Sequence, residues 1–462
     1  SPLSCFVVHP SSATAPNMCE RQFDQFPVVS NASECAAVCV AQPACVMFAW
    51  SNTKQPTCRL SSTCKAPTNA LPGFDGYFRN STVGATCAPG APTPPAPAPG
   101  VNGSWTRVFL TDAAAKGAVC IDGSPGAFYI RTTTAAGLPA DPTKWVIFME
   151  GGGWASSLEG SVARAHTNLG SSKGYPPVPS GMEGSGMFDA PPFDTHTIVY
   201  AKYCDGGSWT GAMSNPPINV TVKPGDPPFT LYFRGRGLFD GLFDELLGGR
   251  GLNKATELLY AGCSAGGLTT YIHADAVTAL MKARAPAAKV VALADAMYSL
   301  NHVDMGGDSH WPEFMSWVYN TMDPTGASVN EACVADMADK YGVPRGNRSE
   351  GWRCMFGSSV APYVQTPTFV LNSKYDTWQG AQIIGARDPQ YNCDNNISSC
   401  PSDLKAFWVA YGNEMLSLLD ALPARHGAYI HNCQSHCQTG LGMWTTDTVN
   451  GTYMGRAVAA WY

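Results

Sequence analysis

Charged residues are scarce in this sequence, and it contains no basic run. They make up 14% of the 462 residues, and 35 acidic against 29 basic side chains give a net charge of −6. An ordinary soluble domain carries about 25% charged residues. A protein that binds nucleic acid or an anionic membrane through its surface needs a concentrated positive face. The composition therefore argues against both kinds of partner.

Long hydrophobic runs are also absent. No stretch of about 18 consecutive apolar residues occurs, so we predict no membrane-spanning helix. The chain opens with Ser1-Pro-Leu-Ser-Cys5, which does not have the pattern of a signal peptide. We interpret the sequence as the mature form of a secreted protein, located outside the cell or in a cell wall, and we expect a monomer.

Cysteine, by contrast, is abundant. The 17 cysteines indicate an oxidising compartment, because the cytosol keeps thiols reduced. Asn-X-Ser/Thr triplets are also frequent, and glycans on them would supply the solubility that the missing charges do not. The candidate N-glycosylation sites are Asn31, Asn80, Asn102, Asn219, Asn347, Asn396 and Asn450.

The composition changes most sharply at residues 88–103, which hold six prolines and no charge. Such a segment favours an extended polyproline II spacer over a buried loop. We therefore predict three parts: a small disulfide-rich module at 1–87, the proline-rich linker at 88–103 and a larger domain at 104–462.

The segment before the linker carries eight cysteines, a density that predicts a small domain held by up to four disulfides. Ser33 is placed to begin a short helix, and Cys45–Trp50 and Thr57–Leu60 alternate like strands. Over residues 19–80 this layout resembles the PAN/apple family of small α+β modules. The resemblance implies a carbohydrate or protein ligand; a stabilising or spacer role is the alternative. The cysteines are Cys5, Cys19, Cys35, Cys39, Cys45, Cys58, Cys64 and Cys87.

After the linker, apolar runs alternate with helical patterns, which predicts an α/β domain with a doubly wound, mainly parallel sheet covered on both faces. The predicted strands are 144–149, 197–201, 257–261, 289–294 and 368–371, with a short one at 428–430. The predicted helices are 237–247, 267–284, 331–341 and 403–422.

A candidate nucleophile lies between one of these strands and the next helix. Gly262-Cys-Ser264-Ala-Gly266 has the Gly-X-Ser-X-Gly pattern in the strand–turn–helix context that a nucleophile elbow requires. The serine sits on a strained turn, and the glycines let strand and helix pack closely around it. The alternative is a tight turn without a chemical role.

A glycine-rich turn, Glu150-Gly-Gly-Gly-Trp154, follows the strand at 144–149. Folds with this elbow place an oxyanion-hole donor in such a turn. We predict that backbone N–H groups of Gly153, Trp154 and Ala265 surround the oxyanion. No lysine with Walker-type spacing follows, so a phosphate-binding loop is not supported. The Trp154 side chain is predicted either to line the substrate pocket or to pack in the core.

The acid and the base should follow the serine in chain order. Asp376 comes after a buried strand, at the sheet edge that also carries Ser264, and is the predicted acid. Asp295 is the rival, although we expect it to support the sheet edge. His436 is favoured over His431 and His426 as the base.

Cysteines near the candidate base and the candidate nucleophile could form a disulfide, bind zinc or remain free thiols. Cys433 and Cys437 surround His436, and a disulfide in that loop would fix the imidazole. A zinc site is a poor alternative, because histidines five positions apart with cysteines in an oxidising compartment do not match zinc-ligand spacing. Cys263 lies inside the elbow, where a disulfide would distort the turn. We therefore predict a buried free thiol at Cys263 and four bridges among the other eight cysteines after the linker.

Several separated motifs resemble the pectin acetylesterase family, which also includes the animal carboxylesterase Notum. They are Met149-Glu-Gly-Gly-Gly-Trp154, Tyr203-Cys-Asp-Gly206, Leu231-Tyr-Phe-Arg-Gly235, Gly262-Cys-Ser-Ala-Gly-Gly267, Asn372-Ser-Lys-Tyr-Asp-Thr-Trp-Gln379 and Ser435-His-Cys-Gln438. The resemblance covers roughly 105–460. It implies an α/β-hydrolase-like serine esterase with the triad Ser264, Asp376 and His436. We also predict that Trp154 and Trp378 contact the substrate and that the reaction needs no metal or cofactor.

The resemblance also implies the substrate class. Family members remove acyl groups, chiefly acetyl, from polysaccharide hydroxyls, whereas the Notum branch removes a long acyl chain from a lipidated protein. Ala155 and Met297 depart from the usual family pattern and bear on acyl specificity. We therefore expect an O-acetylesterase of acylated polysaccharide, with a Notum-like deacylase as the alternative. An inert secreted recognition protein is the third interpretation.

Overall fold

The structure is a computed structural model. It describes residues 6–9, 47–51, 57–61, 75–79 and 105–462, the last range without 180–185, 213, 324–325, 327, 345, 387, 389–392, 394–395 and 441. The chain divides into two compact units, Ser1–Gly100 and Val101–Tyr462. None of the described helices is long and apolar enough to cross a membrane.

Four strands are described in the first unit, and they form one antiparallel sheet in the order β1-β4-β2-β3. Two of them match the strands predicted from sequence. The predicted helix near Ser33 and the disulfides of this unit lie outside the described residues. The PAN/apple assignment and the three-part division of the chain therefore stay predictions. The strands are β1 (Phe6–His9), β2 (Met47–Ser51), β3 (Thr57–Ser61) and β4 (Asp75–Arg79).

The second unit is built on an eight-stranded sheet in the order β14-β13-β12-β11-β7-β8-β6-β5. The first six strands in this order are parallel, and β6 and β5 are added antiparallel. The strands of this unit are β5 (Trp105–Phe109), β6 (Ala127–Arg131), β7 (Asp141–Met149), β8 (His196–Ala201), β9 (Ile218–Val220), β10 (Phe229–Leu231), β11 (Glu257–Cys263), β12 (Lys289–Asp295), β13 (Thr368–Ser373), β14 (Gly427–His431), β15 (Thr448–Val449) and β16 (Thr452–Tyr453).

Helices connect these strands, as the alternating sequence pattern predicts. All six predicted strands and the four predicted helices of this unit are confirmed to within a few residues. The helices are α1 (Leu158–Ala165), α2 (Gly186–Asp189), α3 (Gly235–Gly249), α4 (Ala265–Arg284), α5 (His310–Met322), α6 (Glu331–Lys340), α7 (Gly357–Val360), α8 (Thr377–Gln379), α9 (Ser402–Asp420), α10 (Met443–Thr446) and α11 (Met454–Trp461). Short 3₁₀ turns occur at Leu252–Lys254, Gly351–Met355, Ala361–Tyr363 and Gln438–Gly440, and a π-helical turn at Gly380–Ile384.

The sheet is buried on both faces. Trp145, Ile147 and Met149 of β7 belong to one hydrophobic core, while Val146 and Phe148 belong to a second core on the opposite face. Successive side chains of a strand point to opposite faces, so these apolar runs must be covered on both sides. This is why the central strands read as continuous hydrophobic segments in the sequence.

The parallel strands end at one edge of the sheet. Cys263 at the end of β11 pairs with Asp295 at the end of β12, and Ser373 of β13 pairs with His431 of β14. The segments that follow β7, β11, β13 and β14 therefore start from a common edge, where ligands bind in open parallel sheets.

Four disulfides occur among the described residues, and one of them overturns a prediction. Cys263 was expected to be free, but it is bonded to Cys437, and the free thiol is Cys433. The other bridges are Cys120–Cys204, Cys333–Cys354 and Cys393–Cys400. The prediction was wrong because, within the elbow, the left-handed backbone is confined to Ser264, whereas Cys263 is still an ordinary strand residue. Its Cα lies 5.5 Å from that of Cys437, a separation that suits a disulfide.

Four of the predicted glycosylation sites fall within the described residues. Asn219, Asn347 and Asn450 are exposed, and Asn396 is half-buried. The side-chain oxygens of Asn347 and Asn396 each accept a hydrogen bond from the backbone two residues further on, as in loops. Exposure is compatible with glycosylation, which stays a prediction. Asn31, Asn80 and Asn102 lie outside the described residues.

Candidate active site

Ser264 stands on the sharp turn between β11 and α4. Its backbone has φ 59° and ψ −126°, a conformation that costs a non-glycine residue of order 1–3 kcal/mol and recurs at functional sites. The turn places the side chain at the N-terminus of a 20-residue helix, where the helix dipole favours negative charge. The geometry is that of the predicted elbow.

Glycines around the turn are required by close backbone packing. A Cβ on Gly266 would lie 2.0 Å from the carbonyl oxygen of Met149, and one on Gly262 would lie 2.4 Å from that of Gly266. A Cβ on Gly151 would lie 2.3 Å from the carbonyl oxygen of Cys263. The glycine-rich loop after β7 is therefore packed directly against the elbow.

Asp376 and His436 form a hydrogen-bonded pair. The Nδ1 atom of His436 is 2.8 Å from Oδ2 and 3.0 Å from Oδ1 of Asp376. The carboxylate is fully buried and also accepts hydrogen bonds from the backbone N–H groups of Trp378 and Gln379, each at 2.9 Å. These bonds fix the carboxylate, which in turn orients the imidazole and leaves Nε2 as its second ring nitrogen.

The two rival histidines make other contacts. His431 Nδ1 accepts a hydrogen bond from the backbone N–H of Cys433, and His426 Nδ1 accepts one from that of Thr368. Burial lowers the pKa of both rings. Of the three candidates, His436 is therefore the one paired with the predicted acid.

Asp295, the rival acid, supports the histidine loop. It is fully buried, and its Oδ2 accepts hydrogen bonds from the Thr439 backbone N–H at 2.8 Å and from the Thr439 hydroxyl at 2.7 Å. Its own carbonyl oxygen accepts the backbone N–H of Ser264 at 3.0 Å. Burial, partly opposed by the bonds from Thr439, raises the pKa of Asp295 to about 6. Asp295 therefore ties the end of the histidine loop and the elbow to the same strand end.

The surroundings of His436 favour its charged form. Burial alone would lower the pKa of His436, but the negative charge of Asp376 and its hydrogen bond, helped by Asp295, raise it above its ordinary value. The imidazole is thus a stronger base than one in water. It can hold a proton that arrives from a neighbouring hydroxyl.

The glycine-rich loop offers backbone donors beside the elbow. Gly152 and Gly153 have φ of +145° and +66°, conformations that favour glycine. Among the described residues, the N–H groups of Gly153 and Trp154 have no hydrogen-bond acceptor. They are therefore free to bind an oxygen atom of a ligand.

A buried serine connects this loop to the elbow helix. The indole Nε1 of Trp154 donates to Oγ of Ser208 at 2.8 Å, and that hydroxyl donates to the carbonyl oxygen of Ala265 at 2.8 Å. The Ser208 backbone N–H in turn donates to the hydroxyl of Tyr203. The Trp154 side chain is thus buried and hydrogen-bonded behind the loop. Its contact with substrate stays a prediction.

A buried aspartate folds the segment that carries this serine. Oδ2 of Asp205 accepts hydrogen bonds from the backbone N–H groups of Gly207 at 3.0 Å and Trp209 at 2.8 Å. Burial raises the pKa of Asp205 to about 7, although these bonds oppose the shift. The Tyr203-Cys-Asp-Gly206 motif therefore has a structural role in shaping the loop behind the site.

The candidate groups meet at a cavity of about 560 Å³. Ser264, His436 and residues 151–153 form one part of its wall, and Trp378 lies over the imidazole with ring centres 6.2 Å apart. Further aromatic wall residues are Phe148, Phe188 and Tyr200. The cavity thus joins a polar reaction centre to an aromatic surface.

Comparison with known protein families identifies the family of this chain. The model of the pectinacetylesterase family matches residues 102–462. The chain belongs to the pectinacetylesterase family. Members of this family and their Notum relatives are carboxylic ester hydrolases, and this chain is one as well.

Individual relatives agree with the family model. Pectin acetylesterase 11 of Arabidopsis thaliana is 28% identical over 371 residues, which cover 77% of this chain and 86% of the relative. Pectin acetylesterase 4 of the same plant is 30% identical over 363 residues, 75% of this chain and 80% of the relative. Palmitoleoyl-protein carboxylesterase NOTUM of Homo sapiens is 27% identical over 359 residues, 74% of this chain but 63% of the relative.

Sequence reasoning did not identify three contributors to this site of the esterase. Ser208 has no recognisable motif of its own, although it lies two residues after the Tyr203-Cys-Asp-Gly206 segment. Thr439 was not singled out, although it lies just after the histidine motif. The Cys263–Cys437 bridge was rejected on an argument about the turn that the strand geometry does not support.

Proposed function

We propose that this esterase is a serine hydrolase of the α/β-hydrolase type, with Ser264 as nucleophile, His436 as base and Asp376 as acid. The observation that carries the proposal is the hydrogen bond between buried Asp376 and partly exposed His436, whose imidazole lines the same cavity as a serine on a strained elbow. A buried carboxylate that orients an imidazole beside a serine is the arrangement that activates a hydroxyl.

The chemistry follows from the positions of these groups. His436 Nε2 takes the Ser264 proton as Oγ attacks the ester carbonyl carbon, and Asp376 stabilises the imidazolium. The carbonyl oxygen becomes an oxyanion, which accepts hydrogen bonds from the N–H groups of Gly153, Trp154 and Ala265. The sugar alcohol then leaves and takes the proton from His436.

The second half of the reaction repeats these roles. Water attacks the acyl group on Ser264 while His436 accepts its proton. The new oxyanion collapses, the carboxylic acid leaves, and His436 returns the proton to Oγ. Every proton is carried by His436, so this scheme uses no other acid or base of the protein.

The acyl group we propose is acetyl, on the hydroxyls of an extracellular polysaccharide. The relatives named as pectin acetylesterases are matched over most of their own length, whereas those named for palmitoleoyl-protein are matched over about two thirds. Disulfides, exposed sequons and a surface poor in charge favour work outside the cell.

One observation favours the alternative of a longer acyl chain. Phe148, Phe188 and Tyr200 contribute aromatic side chains to the wall of the cavity that Ser264 lines. Such a wall would bind a hydrocarbon chain by removing it from water. A Notum-like deacylase of long-chain esters therefore remains the second candidate function.

Hydrolysis of nitrophenyl esters of increasing acyl length tests both candidates. The proposal expects the highest kcat/KM at two to four carbons, complete loss of turnover in Ser264→Ala and fluorophosphonate labelling of Ser264 in the wild type. A preference for eight carbons or more would favour the alternative. Unlabelled Ser264 together with no ester hydrolysis would instead revive the inert recognition protein.

A further inference from the structure

A second cavity, of about 750 Å³, opens beside helix α5. Three segments form it: the loop at 301–303, helix α5 and the 3₁₀ turn Gly351–Met355. Two half-buried tryptophans, Trp317 and Trp352, give it aromatic surfaces. We call this cavity the α5 groove.

The aromatic wall of the groove is held in place before any ligand arrives. The Arg353 guanidinium lies over the Trp352 ring, 4.3 Å from its centre, and its Nε donates to Glu350 at 2.8 Å. The Trp352 ring also packs against Phe356, with ring centres 6.0 Å apart. A surface that is already ordered loses little conformational freedom when it binds.

Polar side chains line the rest of the groove. Asn301, Glu313 and Asn320 are exposed, and Nδ2 of Asn320 donates to Oγ of Ser316 at 3.1 Å. Amide and carboxylate groups offer both donors and acceptors at the edge of the aromatic surfaces. A sugar ring needs this combination, because it has an apolar face of C–H groups and a rim of hydroxyls.

The charged side chains around the groove favour a neutral sugar over an acidic one. Arg353 is the only Lys or Arg among the described residues that line it, and Glu350 neutralises its charge. His302 faces Glu414 at 3.7 Å, and Glu313 adds a negative charge. A polyuronate would need arginine or lysine to pair with its carboxylates. The groove therefore fits a neutral sugar chain.

The groove is close to the candidate active site. Trp311 of α5 contacts Trp378 in the wall of the active-site cavity, with ring centres 5.1 Å apart, and contacts Phe356 at 5.8 Å. Phe356 in turn packs against Trp352. Trp317 follows Trp311 by six residues, which is about 9 Å along a helix. The two cavities are therefore linked by one set of packed aromatic rings.

We propose that the α5 groove binds an unesterified stretch of a neutral polysaccharide while an acetyl ester of the same chain lies at Ser264. This inference rests on the proposed function and narrows it, because it assigns a substrate of neutral sugars instead of a polyuronate.

Calorimetric titration of the full-length Ser264→Ala protein tests binding without turnover. The probes are xylohexaose and mannohexaose as neutral chains and hexagalacturonate as the acidic one. We expect at least one neutral chain to bind more tightly than hexagalacturonate. Trp317→Ala combined with Trp352→Ala should weaken that binding at least about tenfold, which corresponds to roughly 1.4 kcal/mol. Phe109→Ala, which removes an exposed aromatic ring from edge strand β5, is the matched control and should bind like its parent.

A second pair of substitutions and a separate activity assay serve as controls for this experiment. If thermal unfolding shows that the double tryptophan variant is unfolded, Glu313→Ala with Asn320→Ala replaces it, since both side chains are exposed. The proposal is overturned if neither neutral chain binds, if hexagalacturonate binds more tightly, or if binding survives both pairs of substitutions. Hydrolysis of nitrophenyl acetate by the wild type is measured separately, so that failure of the esterase function is not mistaken for failure of the groove.

Discussion

Cys263, the residue before Ser264, is disulfide-bonded to Cys437, the residue after His436. The bridge joins two segments that are 174 residues apart in the chain. It therefore connects the elbow that carries the proposed nucleophile to the loop that carries the proposed base. A chemical bond next to each partner limits how far the hydroxyl and the imidazole can move apart.

Replacement of both Cys263 and Cys437 by alanine should lower stability and activity together. Loss of a bridge that closes a long loop costs about 2–5 kcal/mol of unfolding free energy, which denaturant titration measures. We also expect kcat to fall, because the histidine loop loses a fixed point beside the base. The matched control is Cys333→Ala with Cys354→Ala, which removes another buried bridge. It should lower stability while kcat falls less than in the first pair; an equal fall in kcat would contradict a specific role for the Cys263–Cys437 bridge.

Ser208→Ala should lower kcat about 10- to 100-fold with little change in KM. The substitution leaves the buried Trp154 indole N–H without an acceptor, which costs about 1–3 kcal/mol, and loosens the loop that carries two of the proposed oxyanion donors. Steady-state kinetics on nitrophenyl acetate measures the effect. Because Trp154→Phe breaks the same hydrogen bond, the double variant should lose less than the product of the two single losses. Fully additive losses would show that the two side chains act independently.

The pH profile of kcat/KM should have an acidic limb with a midpoint above about 6.5, the ordinary value for histidine. As the proposed base, His436 must be neutral to accept the serine proton, and its pKa is raised by Asp376 and Asp295. Activity is therefore lost as the pH falls through this raised pKa. Asp295→Asn removes one negative charge, lowers the pKa of His436 and should move the limb to lower pH. A limb that stays in place would show that Asp295 does not act on His436 electrostatically.

The sequence predicts the elements whose burial is nearly complete. Strands β7, β11 and β13 are continuous apolar runs because they lie in the middle of a sheet covered on both faces, so their pattern is unambiguous. Ser264 and Asp376 could be predicted because each comes just after such a strand, whereas His436 follows the short and partly buried strand β14. Helix α5 was missed, since its mixed aromatic and polar surface faces a core on one side and an open groove on the other.

Pairings between distant segments were harder to predict. The choice of Cys437 as the partner of Cys263 depends on how β14 and the histidine loop return to the sheet edge, and no local pattern encodes that return. The same is true of Ser208, whose role exists only because Trp154 and Ala265 approach it from two other segments.

Gly151 and Gly153 of the loop after β7 should respond differently to alanine, because their surroundings differ. A Cβ on Gly151 would lie 2.3 Å from the Cys263 carbonyl oxygen and 2.8 Å from the Ser264 Cβ, so Gly151→Ala must push the loop away from the elbow. We expect at least about a 100-fold loss of kcat, the size of effect seen when an oxyanion donor is removed.

A Cβ on Gly153 meets no atom within 4 Å, and Gly153→Ala costs only the strain of its φ of +66°, about 1–2 kcal/mol. Its loss of kcat should be at least about tenfold smaller than that of Gly151→Ala. Circular dichroism confirms folding of both variants, and equal losses would contradict the placement of the loop against Ser264.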